Sequence, residues 1–561
     1  MRAFSSLSLQ SRFPDGSSGP HWFTTHLCRV LLAATWVGLL GARLLLLGRG
    51  ALADYDERRY FESFAAVRAL ARADWPAFAH ALSSTAARPV DALWRCLPAA
   101  AQLALARCAG WDMYAYPSLL IPTALNWLTT VLAAWYFLGI CRQLLAGAAA
   151  AREWALVAAI LYASLANTSL YVRHVVPYDG ALLLLLALMF WVLRQPVPPR
   201  AGWFWFRLGL GAGALLLFYP GYYAGPALLL APLLNWRRPF AWAFRFRWQL
   251  LALGGGFCLP LLAAEGLSRL GHAPPYWAVS YDLSRHVLQG DPAEGYSFLF
   301  RYLWQVENGL GILLLALLAL ATGQAGWHWR WAALGEIMPR TARQKVLSAA
   351  LLLFLTHCTA AAVGRSIVWY GRLLHLYLPW LVLAGVAGLA VARQRWAAGA
   401  GLAACVVGVV SYGAFFRSYQ RVLYPPDIIA AYSLGCRSPQ QLRYYNAVPV
   451  PDKLRFPVRG PRAAQPSRCP PSTRHRDSLL VLINFADLYP PNGVSQVPLP
   501  AFGAAARILV DGPHCSSFPA YGFEGLGPAE RATAARRQFR LQVLLIDRKP
   551  KPALSLRRLK S

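Results

Sequence analysis

Apolar runs of about 20 residues recur through the first three quarters of this chain, each long enough to cross a hydrocarbon core about 30 Å thick. Helices that are hydrophobic over such a length bury their surface in lipid or against one another, so the chain is a polytopic, mainly α-helical membrane protein. Composition agrees: 57% of its 561 residues are hydrophobic and 14% are charged, with a mean hydropathy of +0.38, too apolar for a soluble multidomain protein. The runs fall near residues 28–48, 117–140, 154–171, 179–193, 207–219, 222–235, 249–268, 309–322, 346–363, 373–392 and 397–415, about eleven transmembrane helices in all. Pro220 and Gly221 either turn the chain between two short spans or kink a single one.

Charge orients the bundle. With the N-terminus (1–27) cytoplasmic, alternate short loops carry Arg142 and Arg152; Arg194, Arg200 and Arg207; Arg237, Arg238, Arg245 and Arg247; Arg330, Arg340, Arg343 and Lys345; and Arg393 and Arg395, as the positive-inside rule requires. The opposite set holds the long first loop (49–116), the Arg173 turn, residues 269–308, the Arg365 turn and the polar tail (417–561). This divides the chain into a cytoplasmic N-terminal segment, a transmembrane domain over 28–416 and an external C-terminal domain. "ALA" at 51–53 resembles a signal-peptidase site, but the preceding run is longer than a signal core and contains Arg43, which favours a retained first span.

The net charge of +31 is spread over loops instead of forming one aromatic-interleaved surface, which argues against a nucleic-acid partner. Arginine supplies nearly all of the positive charge, and with abundant Ala this points to a GC-rich bacterial genome. The ten cysteines include no CxxC pair and no zinc spacing. In an oxidising compartment Cys96 and Cys108 could pair, as could two of Cys436, Cys469 and Cys515; free thiols are the other reading.

The stretch "LADYDERRYFESFAAVRAL", 52–70, puts Asp54, Asp56 and Glu57 where the first span leaves the membrane. Tyr60, Phe64, Val67 and Leu70 then recur at helical spacing, as in a helix lying on the membrane surface. Carboxylates near a helix start can simply cap it. The order of residues goes further: "DERRYFE" resembles the D-E-x-R-Y-x-E signature in the first external loop of the GT-C class of glycosyltransferases. That class contains protein O-mannosyltransferases and the bacterial enzymes that attach aminoarabinose or galacturonic acid to lipid A. Asp56, Glu57, Arg59, Tyr60 and Glu62 match, and the setting of one leading span, a long external loop and an external tail is similar.

The resemblance implies a polyprenyl-phosphate sugar as donor and a lipid, glycan or protein hydroxyl of the envelope as acceptor, with transfer on the periplasmic face. A carboxylate would take the hydroxyl proton and cations would stabilise the departing phosphate. On this reading Asp56 and Glu57 are the catalytic pair, and Asp54, Arg59, Tyr60 and Glu62 help to bind substrate. Asp54-Tyr55-Asp56 also forms a DxD triplet of the kind that can hold a divalent metal, although the resemblance implies chemistry without a metal or other cofactor.

The external set supplies the cations: Arg173 and His174 in "YVRHVVPYD", Arg365, Arg372 and His375 in "GRSIVWYGRLLHLYLPW", and Arg285, His286 and Arg301 in a longer loop. Arg recognises phosphate bidentately; the same arginines also suit interfacial snorkelling. Arg372, Tyr377 and Pro379 loosely match the R-Y-x-x-P-x-x-P start of a late GT-C span. In the first loop, 88–117 reads as a second surface helix, with Arg88-Pro89 where related enzymes carry a His-Pro-Pro element.

In the tail, "FPVRGPRAAQPSRCPPSTRHR" reads as a linker, "SLLVLINFA" and "FRLQVLLID" as buried strands and "GPAERATAARR" as a short helix, hence a small external α/β domain. A transporter or flippase of a lipid-linked glycan is the principal rival. It would call for paired broken spans and mid-span ionisable residues, and only Arg43 and Glu265 offer the latter.

Overall fold

The computed structural model describes residues 22–48, 57, 59–83, 88–109, 116–146, 148–195, 201–235, 239–288, 297–331, 341–364, 371–391 and 396–420, with four strands beyond them. Asp54, Asp56, Arg365, the tail cysteines, the proposed linker and the "GPAERATAARR" segment lie outside these residues, as do the side chains of His286, Arg301 and Arg372.

Helix α1 (His26–Ala42) starts at Thr25, whose hydroxyl accepts from the Cys28 N–H, and runs into a short 3-10 turn over Arg43–Leu46. Three helices of the first loop follow: α2 (Tyr60–Leu70), α3 (Trp75–Ser83) and α4 (Pro89–Ala109). The bundle continues with α5 (Tyr116–Leu144), α6 (Ala151–Ser164), the one-turn α7 (Asn167–Leu170), α8 (Tyr178–Leu193), α9 (Gly202–Phe218), the short α10 (Gly225–Leu230) and α11 (Pro239–Arg245), and α12 (Arg247–Leu270). Two further loop helices, α13 (Tyr276–Leu288) and α14 (Ser297–Gln305), precede α15 (Asn308–Trp331), α16 (Ala342–Gly364), α17 (Gly371–Val391) and α18 (Trp396–Tyr419).

Four segments, His26–Leu46, Ser118–Leu144, Arg247–Leu270 and Trp396–Arg417, are long and apolar enough to cross a membrane, and Tyr178–Leu193, Gly202–Phe218, Asn308–Ala321 and Leu374–Ala390 are shorter apolar helices. Every apolar run of the sequence contains a helix. The run 222–235 is the exception in length, since it holds only the six residues of α10.

Contacts between helices fix their directions. Arg29 at the start of α1 pairs with Glu153 at the start of α6, and Arg43 at the other end reaches Ala163 and Thr168, so α1 and α6 run parallel. Gly401 and Gly408 of α18 face Trp154 and Ser164 of α6, which adds α18 to the same set. Gly209 and Gly213 of α9 meet Leu253 and Phe257 of α12 in increasing order, and these two also run parallel. The chain must therefore return across the bundle between them, and the 3-10 turn over Pro220–Tyr222 is where it reverses. Thr130 and Gly139 of α5 meet Asp179 and Phe190 of α8, and Gly385 and Gly388 of α17 meet Leu317 and Ala321 of α15. The end of α1, the 165–177 turn, the ends of α9 and α12, the starts of α15 and α17 and the end of α18 thus gather at one end of the bundle. The opposite ends of these helices gather at the other.

Two expectations change. The stripe Tyr60, Phe64 and Val67 of α2 packs against Ala99, Leu103, Leu119 and Val175, so it faces protein, and only Leu70 is exposed. Cys96 and Cys108 are both unpaired. They share α4, and twelve residues at 1.5 Å rise separate them by about 18 Å, beyond the reach of a disulfide.

In the tail the strands are β1 (Leu442–Asn446), β2 (Ser478–Asn484), β3 (Ala506–His514) and β4 (Phe539–Asp547), in the order β1-β2-β4-β3. The pair β1/β2 is parallel, β2/β4 and β3/β4 are antiparallel, and β3 has a register shift between Ile508 and Val510. The two apolar runs read as strands, β2 and β4, are the central pair. The outer strands escaped notice because "LRYYN" is short and partly polar and "ARILVDGPH" contains Gly and Pro.

Packing is close between α9 and α12, where a Cβ on Gly209 would lie 2.1 Å from the Leu253 carbonyl oxygen and one on Gly256 2.1 Å from that of Phe206. Small residues let helix backbones approach this closely in lipid. Gly209→Val should lower the melting temperature of the detergent-solubilised protein sharply, since overpacking against backbone costs about 1–3 kcal/mol or more. Gly254→Ala, which meets nothing within 4 Å, should leave it unchanged.

Candidate functional site

The polar interior lies at the end where the first loop, the 165–177 turn and the starts of α15 and α17 meet. All residues from Leu165 to Pro177 are buried, and backbone outside regular structure needs partners when water is excluded. Glu57 supplies two contacts: its Oε1 accepts the Val175 N–H at 2.5 Å and its Oε2 lies 3.3 Å from His174 Nδ1. The carboxylate is 1% exposed. Glu57, read from sequence as half of a catalytic pair, is thus turned inward and holds the turn. His174 is buried beside it, and its carbonyl accepts from Asn126 Nδ2 at 2.7 Å.

Tyr60 is buried and donates to Gln102 Oε1 at 2.5 Å, while Gln102 donates in turn to the Ser118 carbonyl. This seals α2 onto α4 and the start of α5; burial holds the Tyr60 phenol far above its usual range. Glu62 is half-buried in the first turn of α2, where a carboxylate favours the helix dipole.

Arginines converge beside the motif. Arg95 of α4 lies 3.4 Å from Asp91 Oδ1 and also donates to Asn126 Oδ1 and the Val176 carbonyl. Burial raises the Asp91 pKa above the usual carboxylate value, while Arg95, Arg88 and Arg59 lower it. Three cations therefore act on one carboxylate. Arg88, just ahead of Pro89 at the start of α4, lies over the Tyr219 ring at 4.9 Å. Tyr219 belongs to a run of edge-on rings, Tyr171–Tyr178–Tyr219–Tyr222, with neighbouring centroids 4.8–5.2 Å apart. The sequence singled out Arg88 only as the residue standing where related enzymes have a His-Pro-Pro element.

The other candidate cations divide. Arg173 is fully buried, donates to the Tyr419 carbonyl at 2.8 Å and lies over the Tyr419 ring at 5.0 Å, so it ties the turn to the end of α18. His375 is also buried: its Nδ1 contacts Asn167 Oδ1 and its Nε2 lies 3.0 Å from Asp179 Oδ1, while Thr130 donates to Asp179 Oδ2 at 3.0 Å. Asn167 donates to the Tyr302 hydroxyl, and Glu307 accepts the N–H groups of Ala166 and Asn167 at 2.6 and 3.0 Å.

Arg43 and Glu265, the ambiguous ionisable groups of the sequence, both sit at helix ends. Arg43 donates to the carbonyls of Ala163 and Thr168 and to Thr168 Oγ1; Glu265 lies 3.0 Å from Arg269 Nε. Among the described residues no group of three His, Cys, Asp or Glu is arranged to hold a metal ion.

Sequence reasoning missed Asp91, Arg95, Asn126, Asp179 and Glu307 as members of this interior. Asn126 and Thr130 were detectable, being polar residues four apart on one face of an apolar span. Glu307 was detectable as the lone carboxylate immediately before the apolar run of α15.

Glu307 generates a pH prediction. Burial pushes its carboxyl up from 4.5 to about 7, against the lowering effect of its two N–H donors. A raised folded-state pKa means that the native state binds the extra proton, so its contribution to stability is full below pH 4.5 and is lost as pH rises through about 7. The melting temperature of the solubilised protein should therefore carry a falling component over that window. Glu307→Gln should flatten it.

No protein-family model matches this chain, and no curated protein matches it in sequence. Among solved structures, a crystal structure of ArnT from Cupriavidus metallidurans bound to undecaprenyl phosphate is similar over 92% of this chain and 97% of that one, at 11% identity and a TM-score of 0.47. The same protein in the apo state is similar over 81% and 92% of the two chains, again at 11% identity, with a TM-score of 0.43. Likenesses of this size assign neither family nor activity.

Proposed function

We propose that this chain is a membrane glycosyltransferase that moves a sugar from a polyprenyl-phosphate carrier to a hydroxyl of an envelope acceptor, at the periplasmic face of a bacterial inner membrane. The observation that carries the reading is the place of the "DERRYFE" stretch. Its Glu57 is built into the buried 174–175 turn and its Tyr60 into the α2–α4 contact, at the end of the bundle where Arg95 lies 3.4 Å from Asp91 and Arg59 and Arg88 also act on that carboxylate. A motif that only capped a helix would have no need of such a setting.

In the proposed reaction the acceptor oxygen attacks the anomeric carbon, the bond from that carbon to the phosphate oxygen breaks, and polyprenyl phosphate leaves with the negative charge. Asp56, next to Glu57 in the chain, takes the acceptor proton. Arg59 and Arg88 receive the phosphate, with Arg365 and Arg372 as further ligands; a guanidinium meets a phosphate bidentately. Glu57, His174, Arg173 and His375 act as positioning residues, holding the turn against which the substrate rests. The sheet of residues 442–547 follows α18, which ends beside Arg173, and on this reading it covers the site from outside.

The test is sugar transfer from polyprenyl-phosphate donors to a delipidated envelope extract by the purified full-length protein. Transfer by the wild type should fall by about two to four orders of magnitude in Asp56→Asn, in protein with an unchanged melting temperature. Equal transfer would remove Asp56 from the mechanism. No transfer by the wild type with any donor would favour movement of a lipid-linked glycan instead. A chelator should leave transfer intact; loss restored by a divalent cation would make Asp54 and Asp56 metal ligands.

A further inference from the structure

The end of the bundle opposite the site carries its own pattern. Between Asp179 and Glu265 the sequence contains no acidic residue, yet it holds Arg194, Arg200, Arg207, Arg237, Arg238, Arg245 and Arg247. The starts of α9 and α12 lie side by side here, with α11 leading into α12. Trp242 of α11 is buried against Trp205 and Phe246 at centroid distances of 5.9 and 5.3 Å, which fixes how this corner faces. Phe240, Phe244 and Trp248 are consequently 89%, 72% and 68% exposed.

The arginines of this corner lie on its aromatic rings. Arg247 sits 5.0 Å from the Phe244 centroid and 5.6 Å from that of Trp248, and Arg245 sits 6.0 Å from that of Phe246. Arg207, one turn into α9, lies 4.8 Å from the exposed Trp203. Arg245 and Arg247 are exposed, and neither has a carboxylate partner among the described residues. The surface continues directly into the outward face of α12, where Leu251, Leu259 and Leu262 are exposed, and that apolar face is where a membrane-spanning helix meets lipid tails.

We infer that the α9–α11–α12 corner binds the headgroup of an anionic phospholipid, its phosphate held by Arg245 and Arg247 and its acyl chains lying along α12. The charge of Arg207, Arg245 and Arg247 is of one sign, and no carboxylate among the described residues pairs with Arg245 or Arg247. The rings hold the guanidinium planes in place and are themselves suited to headgroup depth. A lipid phosphate supplies the missing negative charge at the height where both chemistries meet. This site is separate from the proposed transfer chemistry and stands or falls without it.

The experiment is native mass spectrometry of the full-length protein, titrated in detergent with phosphatidylglycerol, phosphatidylcholine or inorganic phosphate. Phosphatidylglycerol should be retained well above phosphatidylcholine, and inorganic phosphate should not compete at equal concentration. Arg245→Gln with Arg247→Gln should weaken phosphatidylglycerol binding on the order of thirty-fold, from about 1 kcal/mol for each interfacial cation, and leave phosphatidylcholine binding unchanged. The corresponding double Lys variant, which keeps the charge but loses the planar stack, should fall between the two. Equal retention of the two lipids by the wild type would overturn the site, as would an undiminished preference in the Gln variant. Effective competition by inorganic phosphate would make it an anion site and not a lipid site.

Discussion

The stretch from Leu165 to Pro177 is mostly outside regular helix and wholly buried, and its backbone groups must find partners within the protein. They find them in side chains from almost every neighbouring element. Arg43 takes the carbonyl of Thr168, Tyr419 that of Leu170, Asn126 that of His174 and Arg95 that of Val176. Glu307 accepts from Ala166 and Asn167, and Glu57 from Val175. An unmet buried group costs about 1–3 kcal/mol, so these contacts set how α1, α4, α5, α15 and α18 stand around the turn. The relation is reciprocal: the helices bury the turn, and the turn specifies their arrangement.

That requirement explains why charges sit where the sequence suggested a functional surface. Glu57 and Arg173 have the residue types of a base and a phosphate ligand, yet each is buried with its polar atoms on the turn or the end of α18. Two further cations of the same interior come from the first loop. Arg59 stands at the entry to α2 and Arg88 at the entry to α4, and both act on Asp91. The Tyr171 to Tyr222 run beneath Arg88 is stiff because each ring abuts the next, which suits it to hold a cation at a fixed place. On the proposed reading the motif therefore has two halves, Asp56 for chemistry and Glu57 for position.

Much of the fold was legible because hydrophobicity along a membrane helix is a strong, local signal. The apolar runs and the parity of their loops could be read from length and charge, while the Pro220-Gly221 pair left a turn and a kink equally open. The burial of the apolar face of α2 could not: the spacing of Tyr60, Phe64 and Val67 gives a helix with one apolar face, but Ala99, Leu103 and Val175, distant in sequence, decide whether that face meets lipid or protein. The site was legible only as a set of residue types. His375 with Asp179, Arg95 with Asn126 and Glu307 with Ala166 are pairings across long separations, and nothing in local pattern specifies them. The outer strands of the tail were missed for a related reason, since pairing with β2 and β4 makes them strands more than their own composition does.

The two ends of the bundle solve opposite electrostatic problems with the same side chain. At the turn, arginine is buried and its donors are used on carbonyls and carboxylates, so the charge is fixed and the backbone around it is ordered. At the corner of α9, α11 and α12 it is exposed on aromatic rings with no acidic residue between Asp179 and Glu265, and on the inference above its charge answers a lipid phosphate. Lysine would serve neither place as well, having no planar face to stack and no fork to divide between acceptors. A chain whose positive charge is nearly all arginine can thus use one residue type both to tie together its polar interior and to meet the headgroups that border its apolar surface.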